Sequence, residues 1–179
     1  QTALKLLSLN EQAQPLLFYC TLLNNPFWGS SDADVDMRTK AELELRKLAQ
    51  TMPHPTEFRG AVHRAEDITE DDTLLSNHLQ RTAELCRGRP ARQSFSAWAN
   101  HICTLLDVFA WPGPRTLDSI EYQQLQQWRQ VLDHFTDLDV SEYKPNWTEA
   151  LNQLRALIRH FIFQPQTSDS PVQILGVLE

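Results

Sequence analysis

The densest basic run in the chain is "CRGRPARQ", residues 86–93, which sets Arg87, Arg89 and Arg92 in a Gly/Pro loop. A second pair, Arg155 and Arg159, lies four residues apart on one face of a predicted helix. Arginine forks hold phosphate oxygens two at a time, so both groups are candidate nucleic-acid contacts. Carboxylates compete for the same forks. The chain carries 23 Asp and Glu against 16 Lys and Arg, a formal charge of −7. That balance argues against a dedicated nucleic-acid module, which carries a basic excess, but leaves room for a local patch.

The acidic motifs point to less chemistry. "DADVD", residues 32–36, has the alternating spacing of a calcium loop, yet Met37 and Leu43 stand where that loop needs Gly and Glu. It reads as acidic residues at the positive end of a helix. "ELELRK", residues 42–47, mixes carboxylates and cations as nuclease strands do, but it sits in a helical pattern and reads as a solvated face. None of Gly29, Gly60, Gly88, Gly113 and Gly176 has a Lys within the next two residues, which excludes a phosphate loop. His54, His63, His78, His101, His134 and His160 form no ligand pair, and His101 reads as a helix-face residue. Cys20, Cys86 and Cys103 have neither zinc nor disulfide spacing. No catalytic residue, metal site or cofactor is expected.

Helices must position these groups. Expected are Ala3–Leu9, then Pro15–Asn24 with Pro15 in the first turn, then Asp32–Gln50 with Asp32 as cap, and a short Thr56–Ala65. Asp72–Arg87 follows, with Leu75, Leu79, Thr82 and Cys86 on one side. Ser94 is placed to cap a helix whose inner stripe is Phe95, Trp98, Ile102, Leu105 and Phe109. "WPGP" at 111–114 ends it. Asp118/Glu121 and Asn146/Glu149 form capping boxes. The helices behind them present Leu125, Trp128, Leu132 and Phe135, then Trp147, Leu151, Leu154, Ile158 and Phe161. The expected fold is all-α, a compact bundle of about seven helices over residues 1–163. Residues 164–179 are a linker and a β-branched segment, "VQILGVLE", that reads as an orphan strand of a parallel sheet.

The few cysteines fit a reducing cytoplasm, and no apolar run reaches the roughly 20 residues of a membrane span. With no initiator Met and an abrupt apolar end, the expectation is a piece of a longer polypeptide.

Three segments carry a resemblance. "LLNNPFWG" resembles the "LLRSPFLG" segment of RecB/AddB-like and UvrD-like superfamily 1 helicase relatives. "SFSAWANHICTLLDVFAWPGPRTLDSIEYQQLQQWRQVLDHFTDLD" closely resembles a stretch of the bacterial family called probable DNA repair proteins, in which a degenerate helicase region precedes a RecB-like nuclease domain. "FQPQTSDSPVQILGVLE" is similar to that family's "FQPQ…APVQVLGLLEA", where helicase motif V begins. The resemblance implies a helical insertion, the 2B domain, ending on the motif V strand. Active relatives carry Thr and then His in that strand, and Gly176 and Leu178 stand at the matching positions here. The implied motor region has lost its coupling residues. The family's nuclease residues lie beyond this chain.

Together these readings predict a non-catalytic helical domain of a helicase/nuclease-like DNA repair protein, whose partners are DNA, weakly held in isolation, and the other domains of the parent. The competing expectation is a helical protein–protein interaction module, marked by an exposed apolar groove and indifferent to Arg87, Arg89 and Arg92. A third, an unrecognised enzyme, would need a pocket of convergent polar groups with shifted pKa values.

Overall fold

The computed structural model describes residues 1–29, 35–69 and 75–160. In chain order the helices are α1 (Thr2–Ser8), α2 (Leu16–Leu23), α3 (Val35–Lys47), α4 (Pro55–Thr69), α5 (Leu75–Arg87), α6 (Phe95–Val108), α7 (Ser119–Thr136) and α8 (Trp147–His160), with a 3-10 turn, Asp137–Ser141, after α7. The all-α expectation holds among the described residues, with eight α-helices where about seven were expected. The segment expected to be a strand, with the linker before it, lies outside the described residues, as do the Asp32 cap, Asp72 and Phe161.

Polar residues set the helix ends. Ser94 is extended (φ −63, ψ 160) and its hydroxyl accepts from the Ala97 N–H at 3.2 Å, which starts α6. Asp139, from the 3-10 turn, accepts from the Phe95 and Ser96 N–H groups of the same helix end at 2.5 and 3.1 Å. Two acceptors from different parts of the chain thus satisfy the free N–H groups that any helix start exposes. Asp118 and Glu121 bond each other's backbone N–H at 2.8 and 2.9 Å, and Asn146 and Glu149 do the same at 2.9 and 2.8 Å, so both expected capping boxes form.

Three expectations need correction. Pro15 is the N-cap of α2 (φ −52, ψ 141) rather than part of its first turn. The short fourth helix runs from Pro55 to Thr69, four residues past its expected end at Ala65. Leu125 and Trp128 are only half-buried, lining an open cleft with Trp111 and the start of α1, whereas Leu132 and Phe135 are inside.

The core is continuous and centred on α6, which packs against α1, α5, α7, α8 and the 3-10 turn. All five stripe residues of α6 are buried. Each contributes roughly 1.5–3 kcal/mol through the apolar surface it removes from water. α3 and α4 share the most extensive helix–helix contact among the described residues, and both carry small buried residues, Ala41 on α3 and Ala61 and Ala65 on α4. Tyr19 of α2 stacks on Phe58 of α4 at 4.7 Å and donates to Pro53 O at 3.1 Å; burial pushes its phenol up to about 12.

"NNPFWG" and "WPGP" lock together at one end of the core. Trp28 is fully buried and donates to Leu22 O at 2.7 Å, with Phe109 edge-on at 6.0 Å. Gly29 N–H donates to Phe109 O at 2.9 Å. Gly113 has φ +91, and a Cβ there would stand 2.8 Å from Pro26 O, so only glycine lets the two loops touch. Arg38, 5% exposed, seals the joint. Its guanidinium lies 4.6 Å from the Trp28 ring centroid and donates to Leu23 O at 3.1 Å and Trp28 O at 2.8 Å.

Candidate nucleic-acid interface

The arginine loop leaves α5 at Gly88, whose N–H returns to Glu84 O at 3.0 Å, and reaches α6 through Gln93, whose N–H donates to Pro145 O at 3.3 Å. Its three arginines meet different fates. Arg89 holds Glu11 with both fork nitrogens, at 2.7 and 3.1 Å, and its guanidinium sits 5.1 Å from the Trp147 ring centroid. Arg92 donates to Lys144 O at 3.0 Å and to Glu149 at 3.3 Å. Arg87 is exposed, and its Nε makes only a long bond, 3.4 Å, to Ala83 O in its own helix. Two of the three therefore clamp the loop to the α1–α2 connection and to the start of α8, while Arg87, the last residue of α5, is exposed.

The second arginine pair is also split. Arg155 donates to Ser8 Oγ at 2.9 Å and to Asn152 at 3.2 Å, fastening α8 to α1. Arg159 is exposed, with no ion pair among the described residues. Arg155 lines a cleft of about 590 Å³ with Lys5, Ser8, Glu11 and Gln14. Glu11 borders that cleft and binds Arg89, so both basic groups converge on the α1–α2 connection with a carboxylate between them. Gly176 and Leu178 lie outside the described residues.

The sequence reading missed Arg81. Two adjoining clefts, about 400 and 520 Å³, run between α5 and α6, and Arg81 lines both. The first also carries Glu84, Gly88, Arg89 and His101; the second carries His78, Thr104 and Asp107. His78 Nδ1 bonds Val108 O and ties the two helices together there. No ion pair or hydrogen bond engages the Arg81 side chain among the described residues, because its neighbour Glu84 instead accepts from Gln80 at 2.8 Å. An isolated arginine six residues before a basic cluster gives no signal in sequence, and α6 is what turns its surroundings into a groove.

The other sequence candidates take structural roles. Glu42 pairs with Arg46 at 2.5 Å, while Glu44 pairs with Lys47 at 2.5 Å and with Arg64 of α4 at 3.2 Å. The Arg46 and Lys47 partners hold both carboxyls below the usual range. His101 is half-buried between Trp98 and Trp147, with ring centroids 5.7 and 5.6 Å away. Burial, then the nearby Arg89 charge, pushes its imidazole toward the neutral form. Burial pushes all three thiols up, away from the thiolate. No group of three His, Cys, Asp or Glu side chains suited to a metal occurs among the described residues.

Comparison with known protein families, with curated proteins and with solved structures finds no match to this chain.

Proposed function

We propose that the chain is a non-catalytic, 2B-like helical domain of a helicase/nuclease-like DNA repair protein, working in a reducing cytoplasm, and that it contacts DNA through the end of α5 and the loop after it. The three resembling segments support the assignment by their order and spacing, and the Gly176 and Leu178 departures bear only on its non-catalytic part. The contact is carried by one geometric observation. Arg89 and Arg92 are used to fix the loop, and Arg87 is left exposed at its start. A fixed backbone with a free guanidinium is what phosphate positioning requires. With a net charge of −7, binding by the isolated chain is weak and salt-dependent. Residues 164–179 join the neighbouring domain of the parent under this reading.

Salt titration of binding to a forked duplex tests it. Reversing all three loop arginines would also break the Glu11 and Glu149 pairs, so Arg87→Glu is the clean variant. Wild-type binding that weakens steeply with salt, and is lost in Arg87→Glu, supports the reading; salt-independent or absent binding removes it.

A second reading, a protein–protein interaction module, is favoured by one observation. A cleft of about 140 Å³ between α1 and α7 is lined by Phe27, Trp111, Leu117, Leu125 and Trp128. The two indoles meet edge to face at 5.7 Å. This is where the half-exposed stretch of α7 lies. No helix of the described residues is long and apolar enough to cross a membrane.

A further inference from the structure

The aromatic cleft between α1 and α7 lies where the chain leaves α8. Contacts at the start of α8 fix its direction. Trp147 packs on Trp98, in the first turn of α6, with ring centroids 5.2 Å apart, and the Arg89 guanidinium that holds Glu11 lies over its ring. Further along α8, Arg155 reaches Ser8. The helix therefore runs back along α1, from the Glu11 side toward Gln1. It also runs back along α7. Phe135, in the last turn of α7, packs on Phe95 at that same end of α6, with ring centroids 5.1 Å apart. Trp128 meets Trp111 beyond the other end of α6. α7 and α8 are in contact, and Leu154, Leu157 and Ile158 join the same cluster as Trp128. A helix advances about 1.5 Å per residue, so Arg155 to His160 covers about 8 Å, as much as separates Ser8 from Ala3. Ala3, Leu125 and Trp128 line the cleft. α8 thus delivers the chain to its mouth.

The sequence that arrives there is apolar. "FIF", residues 161–163, follows His160 directly and precedes the polar "QPQTSDS". Phe161 stands at the helical spacing that continues Leu154, Leu157 and Ile158, which already pack on the core. The size of the cleft selects among occupants. It holds about 140 Å³, and a cavity of roughly 150 Å³ takes one benzene ring. A partner helix would need a longer groove for its successive anchors. The one carboxylate in the lining, Glu121, is held by Arg115 and by the Asp118 N–H, so it sets no free charge against a phenyl ring.

We propose that residues 161–163 close this cleft, with the Phe161 ring seated between Trp128 and the start of α1. The cleft is then the last piece of the domain's own core, and the chain itself occupies the surface that the interaction-module reading would use. The assignment does not rest on DNA binding.

The test uses the whole 179-residue chain. NMR follows the Trp111 and Trp128 indole signals and their through-space contacts with phenylalanine rings. Trp128 shows a contact to the Phe161 ring that does not change with protein concentration. Phe161→Ala removes it, shifts both indole signals and lowers Tm by about 5 °C. Phe163→Ala, an equal loss of apolar surface from the same segment, keeps the contact and moves Tm by less than about 1 °C. A sample mixing copies labelled on tryptophan with copies labelled on phenylalanine shows no contact between the labels. A contact in that mixed sample makes a second copy the occupant and overturns the proposal. A Trp128 indole with no contact to Phe161 also overturns it and leaves the cleft to a partner or another domain. Equal losses of Tm from Phe161→Ala and Phe163→Ala overturn it as well, because the segment then acts without the register that singles out Phe161.

Discussion

Arginine does opposite work at the two ends of this molecule. In the joint between residues 25–29 and 109–113, Arg38 is buried and its donors reach main-chain carbonyls. In the loop after α5, Arg89 and Arg92 are tied to carboxylates while Arg87 meets solvent. The first region is dry, tight and dependent on a glycine at φ +91; the second is wet and charged. A guanidinium is a structural plug where the chain brings it carbonyls, and a ligand-seeking group where the chain brings it nothing. Residue type does not decide between these uses. The surroundings do.

The dry joint gives the largest effects. Arg38→Ala leaves Leu23 O and Trp28 O without their charged donor and opens space beside the Trp28 ring, at a cost of about 4 kcal/mol. That is a large share of the ~5–15 kcal/mol that holds a domain folded, and a urea melt would show the midpoint collapse. Gly113→Ala comes next. The new methyl meets Pro26 O and the backbone is already left-handed, so the loss is about 2 kcal/mol. A Gly113→Ala melt superposing on wild type would show that the two loops are not in fact held in contact.

An intermediate effect comes from the cap that Asp139 places on the start of α6, where the arginine loop enters it. Burial opposes ionisation of this carboxyl, but the hydrogen bonds from Ser96 and from the Ser96 and Phe95 amides outweigh it, and the group is held below its usual range. Asp139→Ala therefore costs about 1 kcal/mol at neutral pH. The folded-state pKa is depressed, so the stabilisation is complete above the unfolded-state value near ~4 and is lost as pH falls through the folded value. The gap between wild type and variant should close on acidification. A gap that is constant with pH would mean the carboxylate charge plays no part.

Much of the fold is legible in the sequence, and the reason is local. The α6 stripe at 95, 98, 102, 105 and 109 is buried throughout, and the caps at Ser94, Asp118 and Asn146 form as written, because period and capping depend on residues a turn apart. What fails is whatever depends on distant partners. Leu125 and Trp128 have the spacing of a buried face, but spacing cannot say whether another helix covers it. Arg38 drew no reading in the sequence, four residues before the solvated face "ELELRK", and it is buried where Trp28 packs beneath it. At the candidate site, the loop arginines stand out by density, yet which of them is free follows from Glu11 and Glu149, 78 and 57 residues away along the chain. Arg81 has no local signature at all.

The smallest effect on stability is expected at the wet end, and it is the most informative. Arg87 is exposed and its one hydrogen bond, to Ala83 O, is long. Arg87→Glu removes no buried group and no ion pair, so loss of the arginine side chain itself should cost less than about 0.5 kcal/mol of the stability read from a urea melt. It also places an acid in the last turn of α5, where the helix dipole disfavours negative charge by about 0.3–1 kcal/mol at most. A glutamine at the same site lacks that penalty and separates the two contributions. If DNA is the partner, Arg87→Glu replaces one phosphate-neutralising charge with a repelling one. Affinity should then fall well beyond what the small stability change could produce, with Arg87→Gln between it and wild type. A helical interaction module that docks through Trp111 and Trp128 predicts the reverse. Arg87→Glu would leave partner binding untouched, while Trp128→Ala would abolish it. The same pair of variants therefore assigns function to one end of the molecule or the other; the Arg87 result cannot be mistaken for unfolding, because that variant leaves the core intact, and the Trp128 variant, whose indole packs against the core, is read beside its own urea melt.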